Sequence, residues 1–541
     1  MKRKLISVLL AALMILSLGS GIITVSAEAP EPFEWTLYYN YEWWGLRPWG
    51  GDDISAYWSD LFNMNIIHTK ADSSPEDQFL QLMVLSDDLP DVVMMDRGPV
   101  HMDLCRQGIF QDLAPLQANN PMYDENILAS TQELLKIDGV LYSIPHWARK
   151  GPTGGNNMWL YNENIWKAAG SPDLATFEDL YAYAKAVKEN VPTNESGAPT
   201  IAFAGQNNND GWDVLAGGFY RSFGGPNRAG SWTIRLDGKI QSVFRDPVFK
   251  EATLELNKWY REGLLLETQF TDTNDQMIEK FSTGRVGLLY YDHSQDSVNR
   301  FRRIMMDNEP GNGYGRVIDP VYPPRAGVTK TYADEKPSIG WNVLCITKDA
   351  KEPQRIFDFL SYMLSKQGSI DMMYGPPGVL YDALDSEGNP ILTRPMAEVP
   401  TEEIDKVGTW IWSFCNQSDN VDDTKFAVNK MQPPELQDWV EQTQSDILTP
   451  IMFVTDEYVN LNTTIDPLSD LGISRTRCED QIRTEMPKIC MAPTEEEASK
   501  LYDELLAFLD ANDFPEVEAA YDVLYQENIK LQGFSSYSDY D

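Results

Sequence analysis

Tryptophan is concentrated in loops of this chain, where an indole ring can offer a flat face to a ligand. Trp43, Trp44 and Trp49 follow the first predicted strand, in a loop that also contains glycine and proline. This loop has no helical or strand periodicity, so the three indoles cannot all be packed in a core. A neutral sugar requires flat aromatic faces with a few fixed donors and acceptors. We therefore predict that Trp43 or Trp44, or both, contact a ligand, with packing inside the loop as the alternative.

Other candidate ligand contacts lie where the chain leaves a predicted strand or opens a helix. Each also has a structural interpretation: a surface ion pair for Arg97, a hydrogen-bonded structural role for His146, and a hinge salt bridge for Arg149. For Asp292, which lies in the stretch Tyr290–His293, the alternative is a helix N-cap. The full set predicted to line the site is Trp43, Trp44, Arg97, His146, Trp147, Arg149, Trp212, Asp292 and Trp341.

Two further tryptophans, Trp410 and Trp412, would share a face if they lay on a strand, although Trp412 could equally be core. Asp96 and Arg97 are predicted to end the third strand at its carboxyl edge, where open α/β sheets bind ligands.

Catalytic motifs are absent from the sequence. It contains no H-E-x-x-H, G-x-S-x-G or Walker motif and only four histidines, so no nucleophile, metal-bound water or phosphate loop is indicated. Glycoside hydrolysis needs only a paired acid and base, but none of the 82 acidic residues is singled out. We expect a binding protein, not an enzyme, with no cofactor and no metal.

The first residues have the pattern of an export signal. Lys2, Arg3 and Lys4 precede an apolar run, and small residues at Val25 and Ala27 place cleavage after residue 27. An uncleaved membrane anchor is the alternative. The first cysteine is Cys105, so a lipid-anchored N-terminus is not indicated and we expect a secreted or envelope-associated protein.

Charge and cysteine content narrow the possible partners. The net charge of −38 becomes −41 once a segment with three positive and no negative residues is removed. Such an acidic chain repels nucleic acid and anionic membranes. The five cysteines are too few for a disulfide scaffold, although Cys478 and Cys490 could pair.

The mature N-terminus alternates between predicted strands and helices. The strands begin near Trp35, Ile66 and Val92, with amphipathic segments between them. This order predicts a parallel sheet covered on both faces. Later helices are predicted to begin at Thr176, Pro247, Pro353 and Thr494, the third of these ending before Gly368.

A series of short motifs in the mature chain resembles the family 1 extracellular solute-binding proteins of ABC importers, in particular a long subgroup common in Gram-positive bacteria. Each motif alone is modest, but they occur in the family's order behind an export signal. They are Gly108–Leu116 (GIFQDLAPL), Asp138–Pro145 (DGVLYSIP), Trp159–Asn164 (WLYNEN), Thr176–Leu180 (TFEDL), Phe281–Gly287 (FSTGRVG) and Tyr374–Gly378 (YGPPG).

The resemblance implies a two-lobed α/β fold, the periplasmic-binding-protein-like fold of class II type, with a hinge and a ligand cleft between the lobes. The implied organisation is a signal peptide at 1–27, one lobe from 28–150 and about 342–400, a second lobe from 151–341 and about 401–531, and a frayed tail at 532–541. The chain would cross between lobes near 149–157, near 339–343 and near 400.

The function implied is delivery of a carbohydrate, in our interpretation an oligosaccharide, to the membrane subunits of an ABC permease by a monomeric receptor. A ligand sensor or adhesin with the same fold is the alternative, as is a uronide or peptide-like ligand. Some relatives have a calcium loop after the helix that begins at Thr176. Here Pro192–Pro199 lacks the acids that a hard cation needs, so no calcium is expected.

Overall fold

The fold is described from a computed structural model. It describes residues 31–73, 75–206, 211–225, 232–291, 295–308, 311, 313–316, 323–331, 337–452, 454–463 and 465–532. The predicted signal peptide, most of the predicted tail and Asp292 lie outside these ranges. Within them, no helix combines the length and apolarity that a bilayer span requires.

The described strands, in chain order, are β1 (Phe33–Tyr39), β2 (Met64–Lys70), β3 (Val92–Asp96), β4 (Ile144–Pro145), β5 (Trp147–Ala148), β6 (Met158–Asn162), β7 (Ile201–Gly205), β8 (Thr233–Leu236), β9 (Lys239–Ser242), β10 (Val286–Tyr291), β11 (Tyr314–Arg316), β12 (Asn342–Ile346), β13 (Tyr381–Leu384), β14 (Pro390–Leu392) and β15 (Asn416–Gln417).

The described α-helices are α1 (Asp53–Phe62), α2 (Glu76–Ser86), α3 (Pro99–Arg106), α4 (Ala114–Gln117), α5 (Met122–Asn126), α6 (Ala129–Leu135), α7 (Glu163–Ala168), α8 (Phe177–Asn190), α9 (Asp213–Ser222), α10 (Pro247–Arg261), α11 (Asn274–Ser282), α12 (Gln295–Asn308), α13 (Pro353–Met363), α14 (Lys366–Tyr374), α15 (Thr401–Val407), α16 (Ser418–Met431), α17 (Trp439–Thr443), α18 (Asp470–Cys490), α19 (Glu495–Ala511) and α20 (Phe514–Gln532).

The first sheet has the strand order β2-β1-β3-β12-β4. β1 runs parallel to β2 and β3, as the alternation of strands and helices predicted, and its side chains are mostly buried on both faces. β12 returns antiparallel to β3, with Asn342 opposite Asp96. The start of β12 therefore meets the end of β3, which places the chain around Trp341 at the carboxyl edge of the parallel strands.

The second sheet has the order β11-β6-β10-β7. β10 lies parallel to β7 and antiparallel to β6, and all six of its side chains are buried. The sheet is packed between helices, with Tyr183 of α8 donating its hydroxyl to the carbonyl of Gly287 at 3.0 Å. The α/β class predicted from the sequence is confirmed.

Buried apolar side chains form two separate cores, one for each lobe. The first core is formed mainly by side chains from residues 33–148 and 339–428. The second core is formed by side chains from residues 158–305 and 440–525. Trp410, Phe414 and Val428 belong to the first core. We therefore propose that the third crossing follows Val428 instead of lying near residue 400.

Helix starts agree well with the sequence patterns. Thr176 and Asp179 form a reciprocal capping box, Asp246 caps the helix that Pro247 opens, and Thr494 accepts from the N–H of Glu497. Gly368, however, does not lie in a loop after α13. Ser365 accepts the N–H of Gly368 and begins α14 immediately, because a cap and a small residue suffice to restart the helix.

The suggested pairing of Cys478 with Cys490 is wrong. Both residues lie in α18 and both are free thiols. Twelve residues of α-helix separate their Cα atoms by about 18 Å, far beyond the span of a disulfide.

The loop that corresponds to the calcium loop of some relatives is held by its own side chains. The amide oxygen of Asn194 accepts from the N–H of Ala198 and from Ser196 Oγ, while its nitrogen donates to the carbonyl of Thr283. Asn194 thus performs the turn-closing role that a cation would otherwise take. That this loop binds no calcium stays a prediction.

Candidate functional site

Four tryptophans collect at the carboxyl edge of the first sheet and form what we name the aromatic patch: Trp43, Trp147, Trp341 and Trp412. They reach it from different segments, namely the loop after β1, strand β5, the residue before β12, and the loop before β15. Trp43 is 63% exposed, Trp341 44% and Trp412 37%, and Trp147 is partly exposed. Large apolar rings left accessible at such an edge indicate a binding surface.

A buried layer of rings holds one end of the patch in place. Tyr41 lies with its ring centroid 5.3 Å from Trp43 and 5.3 Å from Trp341. Trp44 is stacked between Tyr39 and Tyr41, at 5.2 Å from each, and is almost fully buried. Because Trp44 fills the layer below, Trp43 is turned outward, where its ring lies 6.2 Å from that of Trp341.

The other end of the patch is built on the segments that approach the hinge. Trp147 and Trp412 pack edge to face, with centroids 4.9 Å apart. Gly340 fits directly against Trp147, since a Cβ placed on it would lie 2.7 Å from the Cβ of Trp147. This close approach places the segment that carries Trp341 against the backbone of Trp147.

His146 is a structural residue beneath the patch. It is fully buried, its Nε2 lies 3.0 Å from the carbonyl of Trp412, and its own carbonyl accepts from the N–H of Asn416 at 2.7 Å. Burial lowers the pKa of His146 to about 3, so the ring is neutral at physiological pH. The neutral ring joins two chain segments and has no exposed surface, which favours the hydrogen-bonded structural role given above as the alternative for His146.

Asp96 provides a carboxylate at the end of β3. Its Oδ1 accepts from the Tyr41 hydroxyl at 2.7 Å, and part of the residue remains exposed. Partial desolvation raises the pKa of Asp96, and the hydrogen bond from Tyr41 opposes that rise. An exposed carboxylate beside aromatic rings is the arrangement that accepts sugar hydroxyls while the rings cover C–H faces.

Arg97 is committed to the protein itself. Its Nε donates to the carbonyl of Gly340 at 2.8 Å and its Nη1 to Oδ1 of Asn460 at 2.5 Å. Burial lowers the pKa of Arg97 to about 10, while Asp456 and Asp96 favour its charged form. Arg97 therefore positions the segment that carries Trp341, and we leave it out of the proposed contacts.

Arg149 and Trp212 also take roles other than the predicted ones. The Nη1 of Arg149 donates to the carbonyl of Thr153, within the first crossing. Trp212 has no exposed surface, because its ring packs against Trp232 and Phe244 in the second core. A ring so enclosed favours a core role, and Trp212 is not among the contacts that we propose.

Trp410 and Trp412 differ in exposure, and neither lies on a strand. Trp410 is fully buried and donates its Nε1 to the carboxylate of Asp52 at 3.1 Å, so it is the core residue of the pair. Trp412 is the exposed one. Sequence reasoning did not place Tyr41 or Trp412 in the candidate site, and the only signal for Tyr41 was its position two residues before Trp43.

In the second sheet the carboxyl ends of β7 and β10 lie side by side, because the two strands are parallel neighbours. Both strands end in buried residues, with the N–H of Gln206 donating to the carbonyl of Tyr290 at 3.2 Å. Asp292 and His293 follow directly and lie outside the described residues. Within the described part of the chain, no group of three or more His, Cys, Asp or Glu side chains is arranged to hold a metal ion.

Comparison with known proteins agrees with this architecture. The family model described as "Bacterial extracellular solute-binding protein" matches residues 23–370. The chain therefore belongs to the bacterial extracellular solute-binding proteins, the family that the sequence motifs resembled. This is a family of binding proteins and not of enzymes. No curated protein matches the chain in sequence.

Solved structures with the same fold confirm the two-domain periplasmic-binding architecture. The S. pneumoniae ABC-transporter substrate-binding protein FusA, in complex with kestose, is 16% identical with a TM-score of 0.66, covering 91% of this chain and 99% of that one. The alginate-binding protein AlgQ2, without calcium ion, is 18% identical with a TM-score of 0.64, covering 92% and 99%. An HMO-binding, ABC-transporter-associated protein from Bifidobacterium longum infantis is 15% identical with a TM-score of 0.64, covering 91% and 98%.

Proposed function

We propose that this protein is an extracytoplasmic receptor that binds an oligosaccharide on the aromatic patch and delivers it to an ABC importer. The observation that carries the proposal is the exposure of Trp43, Trp341 and Trp412 at one sheet edge, although each could have been buried. Exposing such apolar rings to water is energetically unfavourable. Covering them with the apolar C–H face of a sugar would remove this unfavourable term.

The patch is shaped for an extended ligand. Trp43 and Trp341 form one pair of rings, and Trp147 and Trp412 form a second pair beyond Gly340. Two pairs of rings suit a chain of several sugar units better than a single ring sugar. The carboxylate of Asp96, next to the first pair, would accept hydroxyl hydrogens and fix the orientation of the chain.

The cellular setting of the proposal rests on the sequence. Residues 1–27 have the pattern of a cleaved export signal, and no cysteine stands where a lipid anchor would be attached. The solved structures of similar fold include several whose names state ABC-transporter association. We propose a monomeric, secreted or envelope-associated protein whose partners are the permease membrane subunits.

A thermal-shift screen tests the proposal directly. The mature protein is heated with neutral oligosaccharides, uronides and peptides, because a ligand of the native state raises the melting temperature. We expect a neutral glycan to raise it by several degrees and to be recovered intact. A shift from peptides alone would contradict the sugar proposal, and release of shorter products would contradict a pure binding role.

A further inference from the structure

Four carboxylates, which we name the acidic rim, border the aromatic patch on the side of β1 and α2: Asp72, Glu76, Asp77 and Asp96. Glu76 Oε1 lies 3.4 Å from the backbone nitrogen of Glu42, the residue next to Trp43. Asp77 accepts from the Nδ2 of Asn40 at 2.7 Å. Glu76 and Asp77 are thus hydrogen-bonded to the loop that carries Trp43, and Asp72 follows the end of β2 at the same edge of the sheet.

The rim acts as a single source of negative potential. Burial raises the pKa of Tyr38 to about 12, and Asp72, Glu76 and Asp77 add to this rise. Asp77 and Glu76 likewise add to the raised pKa of Asp96. Asp77 and Glu76 accept hydrogen bonds from Asn40 and Glu42, and Asp96 accepts one from Tyr41, so a ligand next to Trp43 meets the combined field of these carboxylates.

Two cations near the rim, Arg97 and Lys70, are engaged by other groups of the protein. Arg97 is bound to Gly340 and Asn460 and stands between two carboxylates, those of Asp96 and Asp456. Lys70 of β2 donates to the carbonyl of Glu42, whose own side chain is acidic. Neither cation is placed to pair with a carboxylate carried by a ligand.

We infer that the ligand of the aromatic patch is uncharged, and that the acidic rim rejects glycans that carry carboxylates or sulfates. The inference narrows the proposed function. It rests on that function for its claim that the ligand is a glycan. A uronide at the patch would bring its negative charges next to Glu76 and Asp96. The repulsion between like charges would weaken its binding several-fold or more. A neutral chain of the same length has no such cost.

The field of the rim can be measured without any ligand, by fluorescence quenching with caesium and iodide ions at the same low ionic strength. The contribution of Trp43 is isolated by subtracting a Trp43→Phe variant. Each ion's quenching constant is divided by its value for free N-acetyltryptophanamide, because iodide is intrinsically the more efficient quencher of indole. We expect this normalised quenching of Trp43 to be stronger for caesium than for iodide, and the difference to shrink in 1 M NaCl, where the Debye length is about 3 Å.

A matched pair of double variants separates the rim from the acidity of the whole chain. The Asp72→Asn, Glu76→Gln variant should show a smaller difference between the quenching of Trp43 by caesium and its quenching by iodide. Glu189→Gln with Glu527→Gln makes the same change in net charge on exposed helices of the second lobe and should leave the difference unchanged. Equal quenching by both ions, or equal narrowing in both double variants, would overturn the inference.

Calorimetry with tetragalacturonate and with maltotetraose, cellotetraose and chitotetraose tests the consequence for binding. We expect no detectable binding of tetragalacturonate to the wild type at low salt, and detectable binding to the Asp72→Asn, Glu76→Gln variant, with an affinity about tenfold or more above the upper limit set by the wild-type titration. Tight binding of tetragalacturonate to the wild type would contradict the charge inference but not the proposed function. If no glycan binds, the proposed function fails, and the quenching result still decides the inference about charge.

Discussion

At the scale of single residues, the tryptophans of one loop differ in role because of what lies beneath them. Trp44 stacks on Tyr39 and Tyr41, and Trp49 donates to Ser59 Oγ at 2.7 Å and packs on Trp58, so both contribute to the core. Trp43 has no place in that layer and faces outward. The loop composition indicated that some indole must be exposed, but only tertiary packing selects which one.

His146 carries a prediction about pH. Its pKa is lowered to about 3 in the folded protein, below the 6.5 of an exposed histidine, so the unfolded chain binds a proton first as the pH falls. Its contribution to stability is therefore complete above about pH 6.5 and decreases toward pH 3, with a loss of about 2 kcal/mol by pH 5.

Chemical denaturation at pH 7 and pH 5 measures this effect. His146→Gln, which retains a donor but does not titrate, should lose about 2 kcal/mol less than the wild type between the two pH values. The comparison between proteins removes the contribution of carboxylates such as Asp371, whose raised pKa acts in the opposite direction. If the free energy of unfolding falls equally in the two proteins between pH 7 and pH 5, His146 is already charged or solvated in the folded state.

At the scale of elements, the segment before β12 depends on a glycine. Gly340 lies so close to Trp147 that an added Cβ would meet its Cβ at 2.7 Å, its nitrogen at 3.2 Å and its Cα at 3.3 Å. These atoms belong to or adjoin the backbone of β5, which pairs with β15, so they cannot move aside as a flexible side chain would.

Gly340→Ala is therefore expected to destabilise the protein by about 1–3 kcal/mol and to weaken glycan binding, because Trp147 and Trp341 must separate. Gly45→Ala is the matched control, since nothing lies within 4 Å of a Cβ at that position. Chemical denaturation of both variants measures their free energies of unfolding, and calorimetry measures their affinities for the glycan. A Gly340→Ala protein as stable as Gly45→Ala, with normal binding, would mean that the two segments do not need this contact.

Local signals predicted elements better than they predicted the site. Thr176, Pro247 and Thr494 begin helices as expected, because capping depends on neighbours within one turn. The structural contacts of Arg97 and Trp212 could not be predicted, because their partners, Asn460 and Phe244, lie far away in the sequence. No local pattern reports such contacts.

At the scale of the whole molecule, two separate cores imply two bodies that can move relative to each other. The chain between them includes residues 149–157, which contain no helix or strand. Residues 456–463 add a further link: Val459 packs in the first core and Leu461 in the second, and Asn460 binds Arg97. The resemblance to the family implied this division and crossings near 149–157, 339–343 and 400, and the membership of Val428 in the first core is what leads us to propose a later third crossing.

Hinge closure around a ligand predicts a more compact molecule. In small-angle X-ray scattering, the radius of gyration of the mature protein should fall when a glycan found by the thermal-shift screen is added to saturation. A non-binding glycan at the same concentration is the control. An unchanged radius with full occupancy would indicate that the lobes do not close on the ligand.

The most direct test of the account is calorimetric binding of that glycan to the wild type and to a Trp43→Ala, Trp341→Ala double variant. Aromatic contacts contribute about 0.5–1.5 kcal/mol each beyond the area they bury, so the double variant should lose affinity by about tenfold or more. Leu468→Ala, which removes an exposed apolar side chain elsewhere, should bind as the wild type does. Unchanged affinity in the double variant, with its fold intact, would contradict the claim that the aromatic patch is the ligand site.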